Sequence, residues 1–441
     1  MRSFFTVIKK HLFLSLSLVS LTVAPLFSAD YLEPSFSPPG GLPPDSVPLF
    51  VVLGFDDNHY EDGMRWVLDL LKGKKNPVGT NNPLTFDNMP IGAGFYHTSD
   101  FLNEGNATLL ATWKEARDDG YEVADHTMTH NTSKSTSLDN WRKEISGCRN
   151  ELASKLSVPK ESIIGFRTPY LDFNDATFSA LGAEGFLYEC TMQMMQEYTK
   201  TNFYWPYTLD NGFPKGCIQG WEGKCKVPGL WEIPVYALGE DATTMWPPIC
   251  GFDSSILPNA AGPNYEKMMK NGIDYRLTAT SNRCPMTLGL HSDTYSVKNA
   301  PNTITYMLDV PKRQAALKAF IEYALTKPMV RFVSAKQLID WMRKPVPLGR
   351  PGVGIIETKS IQKTATISSV KMSAGSIDYN ALSSGSQMVS IFDVQGKKLV
   401  EKRIEQKVGV NKVSLSGIDL SEGVMLVHFQ SGETVTIRSI Q

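Results

Sequence analysis

Val47-Pro48-Leu49-Phe50-Val51-Val52-Leu53-Gly54 is a near-continuous apolar run, and Phe55-Asp56-Asp57 follows it directly. A strand with one wet face alternates apolar and polar residues. A run without that alternation suits a strand buried on both faces of a parallel sheet. Beyond it the period changes, and Met64, Val67, Leu68 and Leu71 recur at helical spacing. A second helix places Trp141, Ile145, Cys148, Leu152 and Leu156 on one face. Ile163–Phe166, Met286–Leu290 and Val330–Val333 read as further strands, and helical stretches over 174–184, 311–325 and 335–343 are interleaved with them. Strands alternating with helices predict a parallel α/β fold, open or closed into a barrel. Ligands in such folds collect at the carboxyl ends of the strands.

The polar clusters fall at those ends. Asp56 and Asp57 are adjacent carboxylates, which repel unless a cation, a donor or water compensates. Alone, such a pair is equally a solvated turn or a helix N-cap. His126-Thr127-Met128-Thr129-His130 carries histidines four apart, a spacing that places both on one face of a helical turn, within reach of one metal. With Asp57 the set becomes two imidazoles and one carboxylate with a position left open, the arrangement of catalytic rather than structural zinc. Phe166-Arg167-Thr168-Pro169-Tyr170 follows another apolar segment, and Leu288-Gly289-Leu290-His291 ends one. Taken singly, the first is a proline turn with an arginine and the second a structural histidine.

In this order the four clusters resemble the polysaccharide deacetylase family (the NodB-homology domain, carbohydrate esterase family 4), whose pattern is T-F-D-D, then H-[ST]-x-x-H, then R-x-P-[FY], then L-x-H. The resemblance covers about residues 47 to 343. Trp205-Pro206-Tyr207-Thr208, Phe186-Leu187-Tyr188, the Cys217/Cys225 loop and Leu230–Pro234 are similar to the chitin-deacetylase-like branch. Ala93-Gly94-Phe95-Tyr96 resembles a strand that usually reads A-T-F-F. The resemblance implies a distorted (β/α) barrel. It implies that Asp57, His126 and His130 hold a divalent metal, Zn2+ or another transition metal such as Co2+. Asp56 would then be the general base, Arg167 its partner, the Tyr170 backbone N–H an oxyanion donor and His291 the general acid. The implied activity is removal of acetyl groups from a polysaccharide, either N-acetylglucosamine units of chitin or peptidoglycan, or the esters of acetylated xylan. Gly54 departs from the pattern where threonine usually stands, and no D-x-x-D-W segment occurs. Glu232, Asp241 and Asp253 are the acids available in its place. Both departures keep open a third reading, a glycan-binding protein of weak catalytic power.

Working outward, residues 1–29 read as a signal peptide, with Arg2, Lys9 and Lys10 ahead of an apolar stretch that closes on Phe27-Ser28-Ala29. Export makes the cysteines at 148, 190, 217, 225, 250 and 284 disulfide candidates, and Cys217 with Cys225 brackets a short loop. Residues 30–46 form a proline-rich lead-in. Lys344–Gly352 begins a linker running to 364, and residues 365–441 alternate β-branched runs with turns, the pattern of a small all-β sandwich. Val389–Lys397 and Gly423–Leu426 resemble the sorting domains that carry substrates to the type IX secretion machinery. A carbohydrate-binding role is disfavoured there because Tyr379 is the sole Trp or Tyr. The net charge of −1 gives nothing for nucleic acid or an anionic membrane to attract. No second apolar span follows the leader, so a secreted or cell-surface monomer without stable membrane insertion is expected. Among the aromatics of 190–265, Trp221 and Trp246 are flanked by polar residues or proline and are the candidates for stacking on sugar.

Overall fold

The computed structural model describes residues 30–349 and 367–438, apart from 103–104, 195–202, 218–219, 237, 242–243, 247–262, 300–309, 374–375, 394–397, 416–423 and 430–433. The signal peptide, most of the linker, Cys250 and Asp253 therefore lie outside the described residues. The chain divides into two compact units, Met1–Leu348 and Gly349–Gln441.

In the first unit the strands are β1 (Leu49–Asp56), β2 (Gly94–His97), β3 (Glu122–Asp125), β4 (Gly165–Phe166), β5 (Tyr188–Glu189), β6 (Gln193–Met194), β7 (Tyr207–Leu209), β8 (Val227–Glu232), β9 (Val235–Tyr236), β10 (Leu238–Asp241), β11 (Thr244–Trp246), β12 (Met286–His291) and β13 (Val330–Val333). The helices are α1 (Glu61–Leu71), α2 (Ala107–Asp118), α3 (Leu138–Leu156), α4 (Asp175–Glu184), α5 (Pro263–Arg276), α6 (Val310–Leu325) and α7 (Ala335–Arg343). The main sheet has nine strands in the order β12-β1-β2-β3-β4-β5-β8-β7, with β13 joined to β1, and it curls into a distorted β/α half-barrel. Every pairing from β12 to β8 is parallel, and β7 closes the far edge antiparallel to β8.

β1 is the axis of this sheet and is buried along its whole length. β12 takes one edge over Val51–Asp56. The other edge carries β13 at Leu49–Val52 and then β2 at Gly54–Phe55. Side chains alternate with period two. Leu49, Val51, Leu53 and Phe55 pack with Met64, Val67 and Leu68 of α1, Trp113 of α2 and Phe320 of α6. Phe50 and Val52 pack inward with Tyr96, Phe166, Tyr188 and Trp341. Gly54 and Asp56 continue that inner face, so the first acid of the pair opens onto the barrel mouth.

The five apolar positions read for α3 are its buried residues, and its N-cap is Ser137, which accepts from Asn140 N. α4 begins with a reciprocal cap between Asn174 and Thr177. The Asn174 carboxamide also donates to the Lys134 and Thr136 carbonyls, which ties the loop after His130 to the helices.

The expected Cys217–Cys225 bridge is not formed. Cys225 sits at φ 58° and its thiol donates to Asp175 Oδ1 at 3.3 Å. Cys148 donates to the His97 carbonyl and Cys190 to Tyr96 Oη, and no disulfide occurs among the described residues. In the second unit a three-stranded sheet (Ile367–Ser373, Ser376–Ala381, Gly409–Ser414) and a four-stranded sheet (Lys398–Gln406, Gly385–Asp393, Val424–Phe429, Thr434–Arg438) share one core. Ile377 and Tyr379 from the first meet Val389, Ile391 and Phe429 from the second.

Candidate active site

The carboxyl ends of β1, β3, β4 and β12 bring six of the singled-out residues to one mouth. Asp56 is the last residue of β1, and its partner in register on β12 is His291. The chain then leaves the extended conformation abruptly, with Asp57 at φ 65° and Asn58 at φ 62°. Left-handed backbone at non-glycine residues costs free energy and persists only where surrounding contacts enforce it. Here Asn58 enforces it. Its fully buried carboxamide donates to the Phe55 and Tyr96 carbonyls at 2.9 and 3.1 Å and accepts from Ser292 Oγ at 2.8 Å. Its own carbonyl accepts from Trp113 Nε1 at 3.0 Å. One side chain thus fastens the β1 turn to β2 and to the segment after His291.

The two histidines do meet, but not on a helical turn. Residues 126–130 form a loop, with Thr127 at φ 72° and His130 at φ 61°. Three anchors shape it. The buried Asp125 accepts from Thr127 N at 2.8 Å, Glu144 of α3 accepts from both N and Oγ1 of Thr129 at 2.8 Å, and Thr127 Oγ1 accepts from His130 N at 3.2 Å. His126 Nδ1–H donates to the Arg167 carbonyl at 2.9 Å, which leaves Nε2 with a lone pair facing the mouth.

Asp57 Oδ1 lies 3.4 Å from His126 Nε2 and 3.1 Å from His130 Nε2. The donor atoms of all three residues fall within 4.8 Å of one another. Asp57 Oδ1 is buried without a geometrically sound hydrogen bond, as a ligand atom turned toward an ion would be. Burial works to raise the Asp57 carboxyl. The adjacent His126 and His130 imidazoles and the charge of His291 outweigh it and hold the group well below the usual carboxylate range. Two imidazoles and one ionised carboxylate converging from one side fit a divalent transition metal.

Asp56, 4% exposed, faces a different partner: Arg167 Nη1 donates to its Oδ1 at 2.8 Å. Arg167 Nε donates to the Cys190 carbonyl at 3.0 Å, and its Cζ stands 4.5 Å from the centre of the Tyr96 ring. Burial works against the arginine's charge, but the Asp56 carboxylate outweighs it and keeps the guanidinium cationic. Gly54, which stands where the family pattern has threonine, is a close-approach glycine. A Cβ there would come within 2.9 Å of Tyr96 Cε2 and 3.0 Å of both terminal nitrogens of Arg167.

Tyr170 is held at φ 55° in a tight turn, and among the described residues nothing accepts its backbone N–H. Its side chain is 72% exposed and stands edge-on to His130, centroids 4.6 Å apart. Asp293, two residues after His291, accepts from His59 N and Tyr60 N, while burial and the nearby Asp57 charge raise its carboxyl to about 7. Trp221 is half-buried, packs against Phe173 and Phe213 and carries the Lys224 ammonium over its ring. It is therefore a packing residue more than an open platform. Trp246 lies on β11. Glu232 is fully buried beside Glu189, its register partner on β5.

Asn58, Tyr96, Asp125 and Glu144 were not singled out from sequence. The Tyr at position 96 of a strand otherwise close to A-T-F-F was the one available signal.

Residues 48–188 match the model of the polysaccharide deacetylase family. Chitin deacetylase 8 of Bombyx mori is 24% identical over 323 residues, which covers 71% of this chain and 75% of that protein. Chitin deacetylase 1 of Bombyx mori is 24% identical over 317 residues, 70% of this chain but 53% of that longer protein. Among solved structures, a Mycobacterium smegmatis protein assigned to the polysaccharide deacetylases aligns with TM-score 0.46 at 16% identity, over 73% of this chain and 99% of that one.

Proposed function

We propose that this chain, whose residues 48–188 match the polysaccharide deacetylase family, is a metal-dependent hydrolase removing acetyl groups from an N-acetylglucosamine polymer of chitin or peptidoglycan type. The observation that carries this reading is the separation of the two adjacent acids. Asp57 turns to His126 and His130, while Asp56 turns to Arg167. Paired acids doing one job would share a partner; these two have been given different ones.

Asp57, His126 and His130 would hold the metal, with zinc the ion their donor set favours. When bound, such an ion acts as a Lewis acid on the acyl oxygen and makes water nucleophilic at neutral pH. Asp56, aimed by its bond from Arg167, accepts the proton of the attacking water. The Tyr170 N–H, for which no acceptor is found among the described residues, donates to the oxygen on which negative charge develops. His291, beside Asp56 across the β12 pairing, delivers a proton to the departing amine, a poor leaving group until it is protonated. The exposed Tyr170 ring supplies an aromatic edge at the rim where a sugar would arrive. Residues 1–29 and the C-terminal β-sandwich we assign to export and sorting, which would put the enzyme outside the cell or on its surface, where such polymers occur.

The assignment of Asp56 is tested by Asp56→Asn in the zinc-loaded protein. Metal content should equal that of the parent, while acetate release should fall by about 10²–10⁴-fold. A fully active Asp56→Asn protein would remove the general base from this scheme.

A further inference from the structure

The guanidinium of Arg167 has three supports, and two have been described: the bond to Asp56 and the bond to the Cys190 carbonyl. Both are made by donors that lie in the guanidinium plane, and they resist its tilt only through their preference for linearity. The third support is perpendicular to them, the face of Tyr96 with Cζ 4.5 Å above its centroid. Tyr96 is 1% exposed, so this cation–π contact is desolvated, the condition under which it is strongest.

The ring is itself fixed from below. Tyr96 Oη lies 3.1 Å from Tyr188 Oη and accepts the Cys190 thiol at 3.2 Å. Tyr188 Oη donates to Glu122 Oε1 at 2.8 Å, and Glu122 Oε2 accepts Lys336 N of α7 at 3.0 Å. A chain of hydrogen bonds thus runs from the floor of the barrel to the ring under Arg167. Gly54 completes the arrangement from the side, because a Cβ there would overlap both the ring edge and the guanidinium.

We propose that Tyr96 is a positioning residue: with Gly54 leaving it room, its tethered ring sets the tilt of Arg167 and thereby the aim of Asp56. The inference rests on Asp56 being the base proposed above.

The test uses the full chain, zinc-loaded, with kcat, KM and metal content measured on chitin oligomers. Tyr96→Leu should lower kcat about tenfold or more, with KM and zinc content unchanged. Tyr96→Phe keeps the ring under the guanidinium but frees it from Tyr188 and Cys190, and should lower kcat clearly less than Tyr96→Leu. A parental kcat for Tyr96→Leu overturns the proposal, as does an equal loss in Tyr96→Phe or a loss that zinc content follows. If Tyr96→Leu does not fold, Gly54→Ala decides: it presses on the same ring and guanidinium and should lower kcat at full zinc content, and a parental kcat overturns the proposal.

A parent that releases no acetate would count against the deacetylase reading alone. The contact would then be read by a double-mutant cycle in denaturation with Tyr96→Leu, Arg167→Met and the pair. Coupling of about tenfold or more in the unfolding equilibrium is expected, and additive effects overturn it.

Discussion

Replacing Asn58 by aspartate changes one NH2 group for an oxygen and leaves the shape of the side chain intact. Asn58 is fully buried, and its two N–H bonds go to the Phe55 and Tyr96 carbonyls at 2.9 and 3.1 Å. Aspartate loses both donors and points an oxygen at both carbonyls, while the acceptor for Ser292 Oγ survives. Each buried acceptor left unpaired costs about 1–3 kcal/mol. Two of them facing a desolvated carboxylate put Asn58→Asp at about 3–5 kcal/mol, a large share of the roughly 5–15 kcal/mol that holds a domain folded. Asn58→Gly also loses the donors, but it relieves the left-handed strain at φ 62°, worth about 1 kcal/mol or more, and should be the milder change. Urea denaturation compared at equal slope measures both, and a zinc titration shows whether Asp57 is still presented. An Asn58→Asp protein within about 1 kcal/mol of the parent and with parental zinc affinity would refute the claim that this side chain holds the β1 turn.

Other outcomes follow from the same geometry. His126→Ala should lose both bound zinc and turnover, in contrast to Asp56→Asn, as metal analysis beside an acetate assay would show. Arg167→Met leaves the Asp56 carboxylate buried without its counter-charge and should destabilise the protein by about 3–5 kcal/mol, read from the denaturation midpoint. Burial, followed by the nearby Glu189 charge, holds the Glu232 carboxyl well above its usual value of 4.5. The folded state therefore binds that proton more tightly than the unfolded chain, and stability drains away as pH rises from about 4.5 upward. Glu232→Gln removes that loss, so its advantage in melting temperature over the parent should grow between pH 4.5 and pH 8; a constant or shrinking difference would contradict it.

The buried strand and the helix faces were legible because each leaves a local pattern. β1 is buried on both sides and reads as an unbroken apolar run. The five buried positions of α3 recur at helical spacing within nineteen residues. The histidine pair was legible as a pair but not as a shape. A spacing of four fits a helical turn, whereas here two left-handed residues, Thr127 and His130, fold the loop on itself, held by Asp125 and by Glu144 from the next helix. Such backbone is fixed by partners outside the motif, so no reading of the motif reveals it. Asn58 escaped for the same reason: apart from Phe55, its side-chain partners are 38 and 234 residues away. Gly54 is the converse case. A missing side chain reads as freedom when the ring and guanidinium filling the space arrive from Tyr96 and Arg167. The expected Cys217–Cys225 bridge rested on proximity in sequence, and the Cys225 thiol is engaged by Asp175 of α4.

The central claim is that one metal site and one separately held base hydrolyse acetyl groups on a glycan. It is tested most directly by acetate release from the purified chain, zinc-loaded and chelator-treated, on chitin oligomers and acetylated xylan side by side. Release from the chitin oligomers that the chelator abolishes and added zinc restores is expected. Release that persists at full rate with the metal removed, or none from any N-acetylglucosamine polymer, peptidoglycan included, while zinc stays bound, would contradict it.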